Sequence, residues 1–322
     1  MYNIIMQVFL LIGIFLFGIT VMRLGIKGLT YQQLEKLRPN LSPFNGLLLG
    51  LFLTLILQSS SASIALLITF LAALKTNLPF SISYLIGANI GTTFTAQLFV
   101  WNEVHLMFLC LLVGFFMIFI SNQKILLAGL IIFGLGVIFS ALNGFESLAN
   151  IIPTERIQYI VNSEHNTPLS LSIFGMLFTM IIQSSTVATG MLMSFSSEGT
   201  VPLIQIYYVL IGANIGTCFT VYLVSLKQPY HARITAYAHI WINVLGAIIT
   251  FPIFIANPII HFAEWVSAVP QQQIVWTAVG YNVLTGILFF IFMKPFIKLL
   301  TFIHKPPESP NHSTRIVINN NI

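Results

Sequence analysis

The 322 residues are 57% hydrophobic and only 7% charged, with a formal net charge of +5. A soluble domain has about 25% charged residues, so this composition excludes an ordinary water-soluble fold and points to an all-α polytopic membrane protein. The two cysteines supply no disulfide framework, and the positions of the basic residues explain the net charge as a topology signal, without nucleic acid as a partner.

The first uncharged stretch, Ile4–Met22, has no basic segment before it and no small-residue cleavage site, so it is expected to remain as a span. Arg23, Lys27, Lys36 and Arg38 follow, which places that loop in the cytoplasm and the N-terminus outside. Residues 44–74 are apolar but interrupted by Gln58, Ser59, Ser60 and Ser61. The limbs on either side have at most about 14 residues, roughly 21 Å of helix, against a hydrocarbon core of ~30 Å. A re-entrant hairpin fits, entering and leaving by the cytoplasmic side with its tip turned into protein. Spans are expected at 78–100, 104–120 and 125–142. A second hairpin at 169–197, around Gln183, Ser184, Ser185 and Thr186, dips in from outside. Spans at 201–224 and 234–255, a loop and a last span at 274–293 complete about seven full spans plus two hairpins. The polar, Pro-containing tail at 305–322 is expected to be disordered and cytoplasmic. In this threading every Lys and Arg except Arg156 faces the cytoplasm.

The hairpin motif recurs. Gln58 and Gln183 are 125 residues apart, and so are the two copies of "LIGANIGT" at 85–92 and 210–217, Gly50 and Gly175, and Thr54 and Thr179. The chain therefore reads as a duplication, with a first repeat at 1–124, a second at 125–256, and a loop and last span at 257–304. Each unit has an odd number of full crossings, so the copies are inverted in the membrane. Inverted repeats with interrupted helices at matching positions are the architecture of secondary transporters, whose sites lie at the repeat interface near the midplane.

The chemistry of the two motifs fits such a site. A hairpin tip exposes the free N–H groups of its second limb, which suit an anion, and the Ser and Thr hydroxyls can donate or accept. The glycines of "GANIGT" are expected to break their helices and free carbonyls. Asn89, Thr92, Asn214 and Thr217, together with Gln58 and Gln183, then offer neutral oxygens to Na⁺. The chain has no aspartate, and every glutamate falls near a membrane edge or in a loop. The core is thus expected to hold neither a carboxylate relay for protons nor a fixed basic group for an anion, so coupled cations must compensate the anion's charge. His239 is expected to make a structural hydrogen bond rather than to ligate. A serine hydrolase needs a base oriented by a third group, and no acidic partner is present, so the chain is not expected to be an enzyme.

The pairs "QSSSAS"/"QSSTVA" and "GANIGTTFTA"/"GANIGTCFTV", with "RITAYAHIWIN" at 233–243, resemble the type II sodium–phosphate cotransporter family, including its bacterial members. The resemblance implies a sodium-dependent inorganic phosphate symporter of the bacterial cell membrane. Phosphate would lie between the hairpins, lined by Gln58, Ser59, Ser60, Ser61, Gln183, Ser184, Ser185 and Thr186, with Na⁺ as coupling ion and no cofactor. A Na⁺-coupled transporter or exporter of another small anion or solute on the same fold is the alternative. The first repeat has no counterpart of the His-containing segment, since Gly114 and Ile118 stand where the second has His239 and Asn243.

Overall fold

The computed structural model describes residues 2–35, 41–73, 77–151, 163–196, 199 and 201–305. Lys36, Arg38, Lys75, Arg156 and the tail from 306 onward lie outside them. The described chain is helical: α1 Tyr2–Glu35, α2 Pro43–Leu57, α3 Ser60–Ala73, α4 Leu78–Gln97, α5 Val104–Ile118, α6 Gln123–Ile151, α7 Pro168–Ile182, α8 Ser185–Phe195, α9 Leu203–Ser225, α10 Tyr230–Thr250, α11 Ile253–Val266, α12 Pro270–Ile291 and α13 Met293–Ile303. It is a polytopic membrane protein.

The same local chemistry starts the first limb of both hairpins. Ser42 caps α2, accepting from the Asn45 N–H, and Thr167 caps α7, accepting from the Ser170 N–H. Each cap is followed by a proline, whose missing N–H is no loss in a first turn. After α3 the chain returns to its starting level, where Asn77 donates to the Leu41 carbonyl at 3.1 Å. From there α4 runs parallel to α2, with Gly46 against Phe80 and Gly50 against Tyr84. The second copy repeats this pairing, with Gly175 against Val209 on parallel α7 and α9. The equivalent helices α1 and α6 run antiparallel: Gly18 packs on Gly134 and Ile138, Gly25 on Leu127 and Ile131.

Several expectations are corrected. Neither "GANIGT" breaks its helix: α4 and α9 run unbroken through it. The glycines serve close approach instead. A Cβ on Gly87 would collide with the Leu47 carbonyl oxygen, and one on Gly212 with the Ser172 carbonyl oxygen, so both helices lie backbone to backbone on the hairpin limb beside them. The first helix does not stop at Met22; its candidate span is Ile4–Leu29. Of the seven expected full spans, α1, α6, α9, α10 and α12 are each long and apolar enough to cross by themselves, and α4 and α5 form a pair that turns by 104° at its junction. α5 has 15 residues, about 22 Å, and α4 can carry polar residues because most of the stretch from Phe80 to Ala96 is buried in protein. The expected span 234–255 ends at Thr250, and Pro252 opens a separate helix, α11, in the expected loop. Finally, α13 is amphipathic. Met293, Phe296 and Leu300 are buried, Lys294 and Lys298 exposed, as in a helix lying in the membrane interface.

Candidate functional site

Each hairpin turns on its glutamine. Gln58 (φ 52°) and Gln183 (φ 58°) are the two non-glycine residues with positive φ among the described residues, and each ends its first limb in the left-handed region. The next residue caps the second limb: Ser59 Oγ accepts from the Ala62 N–H at 3.2 Å, and Ser184 Oγ from the Val187 N–H at 3.4 Å. These two serines thus use an acceptor site structurally, and their hydroxyl protons stay available. Ser60, Ser61, Ser185 and Thr186 sit in the first turns of α3 and α8 and are buried.

The two tips engage each other's repeats. Ser61 Oγ donates to the Thr217 carbonyl on α9 at 3.4 Å. In the corresponding arrangement, Thr186 on α8 shares a pocket with Thr92 on α4. That pocket is also lined by Thr93, Ser185, Thr189, Asn214 and Asn282, all neutral oxygen donors. Asn282, on α12 outside both repeats, is 4% exposed; its amide donates to the Ala278 carbonyl while its Oδ1 is buried without a partner. An unpartnered buried carbonyl oxygen among hydroxyls suits a hard monovalent cation.

The remaining site residues of the sequence reading are held by bonds of their own. Asn89 donates to Asn243 Oδ1 at 3.3 Å, and Thr217 Oγ1 donates to the Asn214 carbonyl. Neither Gln58 nor Gln183 lines the pocket. The two glutamines also differ from each other: Gln58 is 7% exposed with its Oε1 unpartnered, whereas Gln183 is exposed. His239 does not make the expected structural hydrogen bond. Its ring is fully buried, and both nitrogens lack a partner among the described residues.

One basic group lies where none was expected. Arg23 is not in a loop but within α1, half-buried, with Nη2 3.4 Å from the Gln58 carbonyl oxygen.

The Na⁺/Pi-cotransporter profile matches the chain twice, at 14–147 and 145–267. The chain belongs to this family. Family membership places it among transporters and sets the hydrolase reading aside. The Bacillus subtilis (strain 168) protein YqeW, whose name assigns no activity, is 34% identical over 297 residues, covering 90% of this chain and 95% of the relative. The Salmonella typhimurium "Putative inorganic phosphate export protein YjbB" is 24% identical over 272 residues. That match takes in 82% of this chain and 49% of YjbB, so the chain spans about half the length of that relative. The sheep (Ovis aries) sodium-dependent phosphate transport protein 2A is 26% identical over 107 residues, 30% of this chain and 17% of the relative. No solved structure matches.

Sequence reasoning missed Arg23, Asn282, Thr93 and Thr189. Two of these had a signal. Between Met22 and Glu35 there is no proline to stop a helix, so Arg23 was legible as helical. Asn282 stands in the apolar run 274–293 that was read only as a span.

Proposed function

We propose that this protein is a Na⁺-coupled transporter of inorganic phosphate. Phosphate lies between the two hairpin tips, and Na⁺ in the pocket of Thr92, Thr186, Asn214 and Asn282. The observation that carries the reading is the matched pair of tips, each built on a left-handed glutamine and each meeting the "GANIGT" helix of the other repeat. Free N–H groups and hydroxyls at the starts of α3 and α8 suit an oxyanion, and the pocket's neutral oxygens suit the cation. The names of the sheep and enteric relatives support phosphate, and the sheep protein's name supports sodium. We place the protein in the cell membrane with its N-terminus outside, its C-terminus in the cytoplasm and the two repeats inverted, the antiparallel α1 and α6 supporting that inversion.

The enteric relatives favour a second reading in which net flow is outward. The same site serves both directions, since gradients decide between them. The test is ³²P-phosphate flux in proteoliposomes under imposed Na⁺, K⁺ or proton gradients. An inward Na⁺ gradient is expected to drive accumulation that K⁺ does not support. Accumulation under an inward proton gradient without Na⁺ would reject sodium coupling, and absence of phosphate flux under every gradient would reject the substrate.

A further inference from the structure

We propose that Arg23 is the fixed positive charge of the anion site, binding the oxyanion together with the tip of the first hairpin. The proposal deepens the functional reading above and rests on it.

Arg23 lies inside the 26-residue candidate span Ile4–Leu29. A charged side chain there is costly and needs a partner. Its one hydrogen bond among the described residues runs from Nη2 to the Gln58 carbonyl oxygen at 3.4 Å, longer than an ordinary N–H···O bond. Its Nε–H is buried with no partner among the described residues, and a guanidinium keeps its charge in proteins.

No carboxylate fills the gap among the described residues, where the one ion pair joins His261 to Glu264. Glu146 is the one described glutamate on a helix packed against α1. It stands next but one to Gly144, which packs on Leu11, so on antiparallel α6 it lies about 20 Å from Arg23 along α1 by helical rise. A guanidinium placed in a membrane helix, half-buried and without a carboxylate, is a receptor for an anion that comes and goes.

The surroundings name the anion's chemistry. Arg23 reaches the carbonyl of Gln58, the residue that ends α2, one step from the N-terminus of α3 at Ser60. The guanidinium therefore touches the turn that leads into α3, two residues before its first N–H groups and the Ser60 hydroxyl, while the Gln58 side-chain amide donates to the Leu55 carbonyl at 3.2 Å and leaves its Oε1 unpartnered. Planar paired donors beside a helix start fit a small tetrahedral oxyanion. At the equivalent place in the second repeat the residue is Leu148, buried and apolar, so the charge is present once. A purely structural role, capping the Gln58 carbonyl, needs only a neutral donor and leaves the charge unexplained.

The test uses the purified full chain in detergent with inorganic phosphate and, separately, sulfate as probes. Binding is read by equilibrium dialysis of the labelled anion in NaCl, and folding by the thermal stabilisation that Na⁺ alone gives. Arg23→Gln is expected to weaken anion binding by about ten- to a hundredfold while Na⁺ stabilisation persists. Lys27→Gln, which removes an exposed charge one turn further along α1, is expected to change binding less than twofold. Binding by R23Q equal to wild type, or equal losses in R23Q and K27Q, overturns the proposal. Should R23Q not fold, the wild-type protein decides. Saturating phosphate must then slow modification of Arg23 by phenylglyoxal, followed by peptide mass, and an unchanged rate overturns the proposal. Wild-type protein that binds neither anion rejects the functional reading itself and this proposal with it. Wild-type protein that binds sulfate but not phosphate, with loss in R23Q, keeps Arg23 in its role and rejects only phosphate.

Discussion

An L-residue in the left-handed region costs roughly 1–2 kcal/mol that glycine avoids, and this chain accepts that cost at both Gln58 and Gln183. Glycine would make either turn more cheaply, so the amide side chain is the reason for glutamine. Gln58→Gly is accordingly expected to melt higher than Gln58→Ala, by about 1 kcal/mol of stability, while both variants lose at least about tenfold in phosphate flux, the loss of a charge-assisted hydrogen bond. Melting in detergent beside flux in proteoliposomes checks this, and a fully active glycine variant would show that the side chain has no part in transport. At Asn282 the unpartnered Oδ1 predicts a milder effect. Asn282→Ala is expected to raise the Na⁺ concentration for half-maximal flux about two- to tenfold, measured as flux against Na⁺ at saturating phosphate. The polar clusters were legible because amides and hydroxyls inside apolar runs have few structural reasons to be there. Arg23 was passed over, although the proline-free run after Met22 marks it as helical, because a count of basic residues by side says nothing about how far a helix continues past the last apolar residue.

The hairpin limbs are held by glycines that let two backbones touch. Gly87→Ala and Gly212→Ala are each expected to destabilise by about 1–3 kcal/mol, since the colliding atom is a carbonyl oxygen of the neighbouring backbone, which cannot swing away. Gly13→Ala, with nothing within 4 Å of its Cβ, is expected to be neutral or slightly stabilising. Thermal melts of the three variants in one detergent give the comparison. The sequence showed these glycines but not their use, because a glycine reads the same whether it frees a dihedral or admits a neighbour, and only the tertiary partner separates the two. At the other end of the chain, α13 is docked through His304. The ring stacks on Tyr237 with centroids 4.0 Å apart and accepts from Trp241 Nε1 at 3.0 Å, while Tyr230 Oη donates to the His304 carbonyl. Burial holds the His304 proton affinity below its ordinary value, and the Trp241 bond requires an unprotonated Nε2. The docking energy is therefore fully present above the unfolded value of about pH 6.5 and is lost as pH falls below it toward the folded value. The protection of α13 amides, taken relative to the intrinsic exchange rate at each pH, is expected to fall between pH 7 and pH 5 in the wild type and to be less pH-sensitive in His304→Phe.

Duplication was plain in the sequence because a fixed offset of 125 residues survives in Gln, Gly and Thr alike, and the same offset relates the packing of Gly50 to that of Gly175. The span count was less legible, since length and apolarity describe a helix facing lipid and α4 is wrapped by protein. The proposed topology predicts that single cysteines at Glu103 and Glu164 in a cysteine-free background react with an impermeant maleimide on intact cells. Those at Gln123 and Lys227 should react only after permeabilisation, all four positions being exposed; the reverse pattern would dismantle the inversion. One difference between the halves has a mechanical meaning. Gln58 is buried while its counterpart Gln183 is exposed, the asymmetry expected of two inverted halves at opposite ends of one transport stroke. A molecule with near two-fold symmetry can complete that stroke by trading the conformations of its halves, covering Gln183 as it uncovers Gln58. The trade is not even, because the first half has Arg23 where the second has Leu148. The two resting poses should therefore be unequally populated without substrate, and an oxyanion should shift the balance, read as the ratio of alkylation rates of cysteines at 58 and 183.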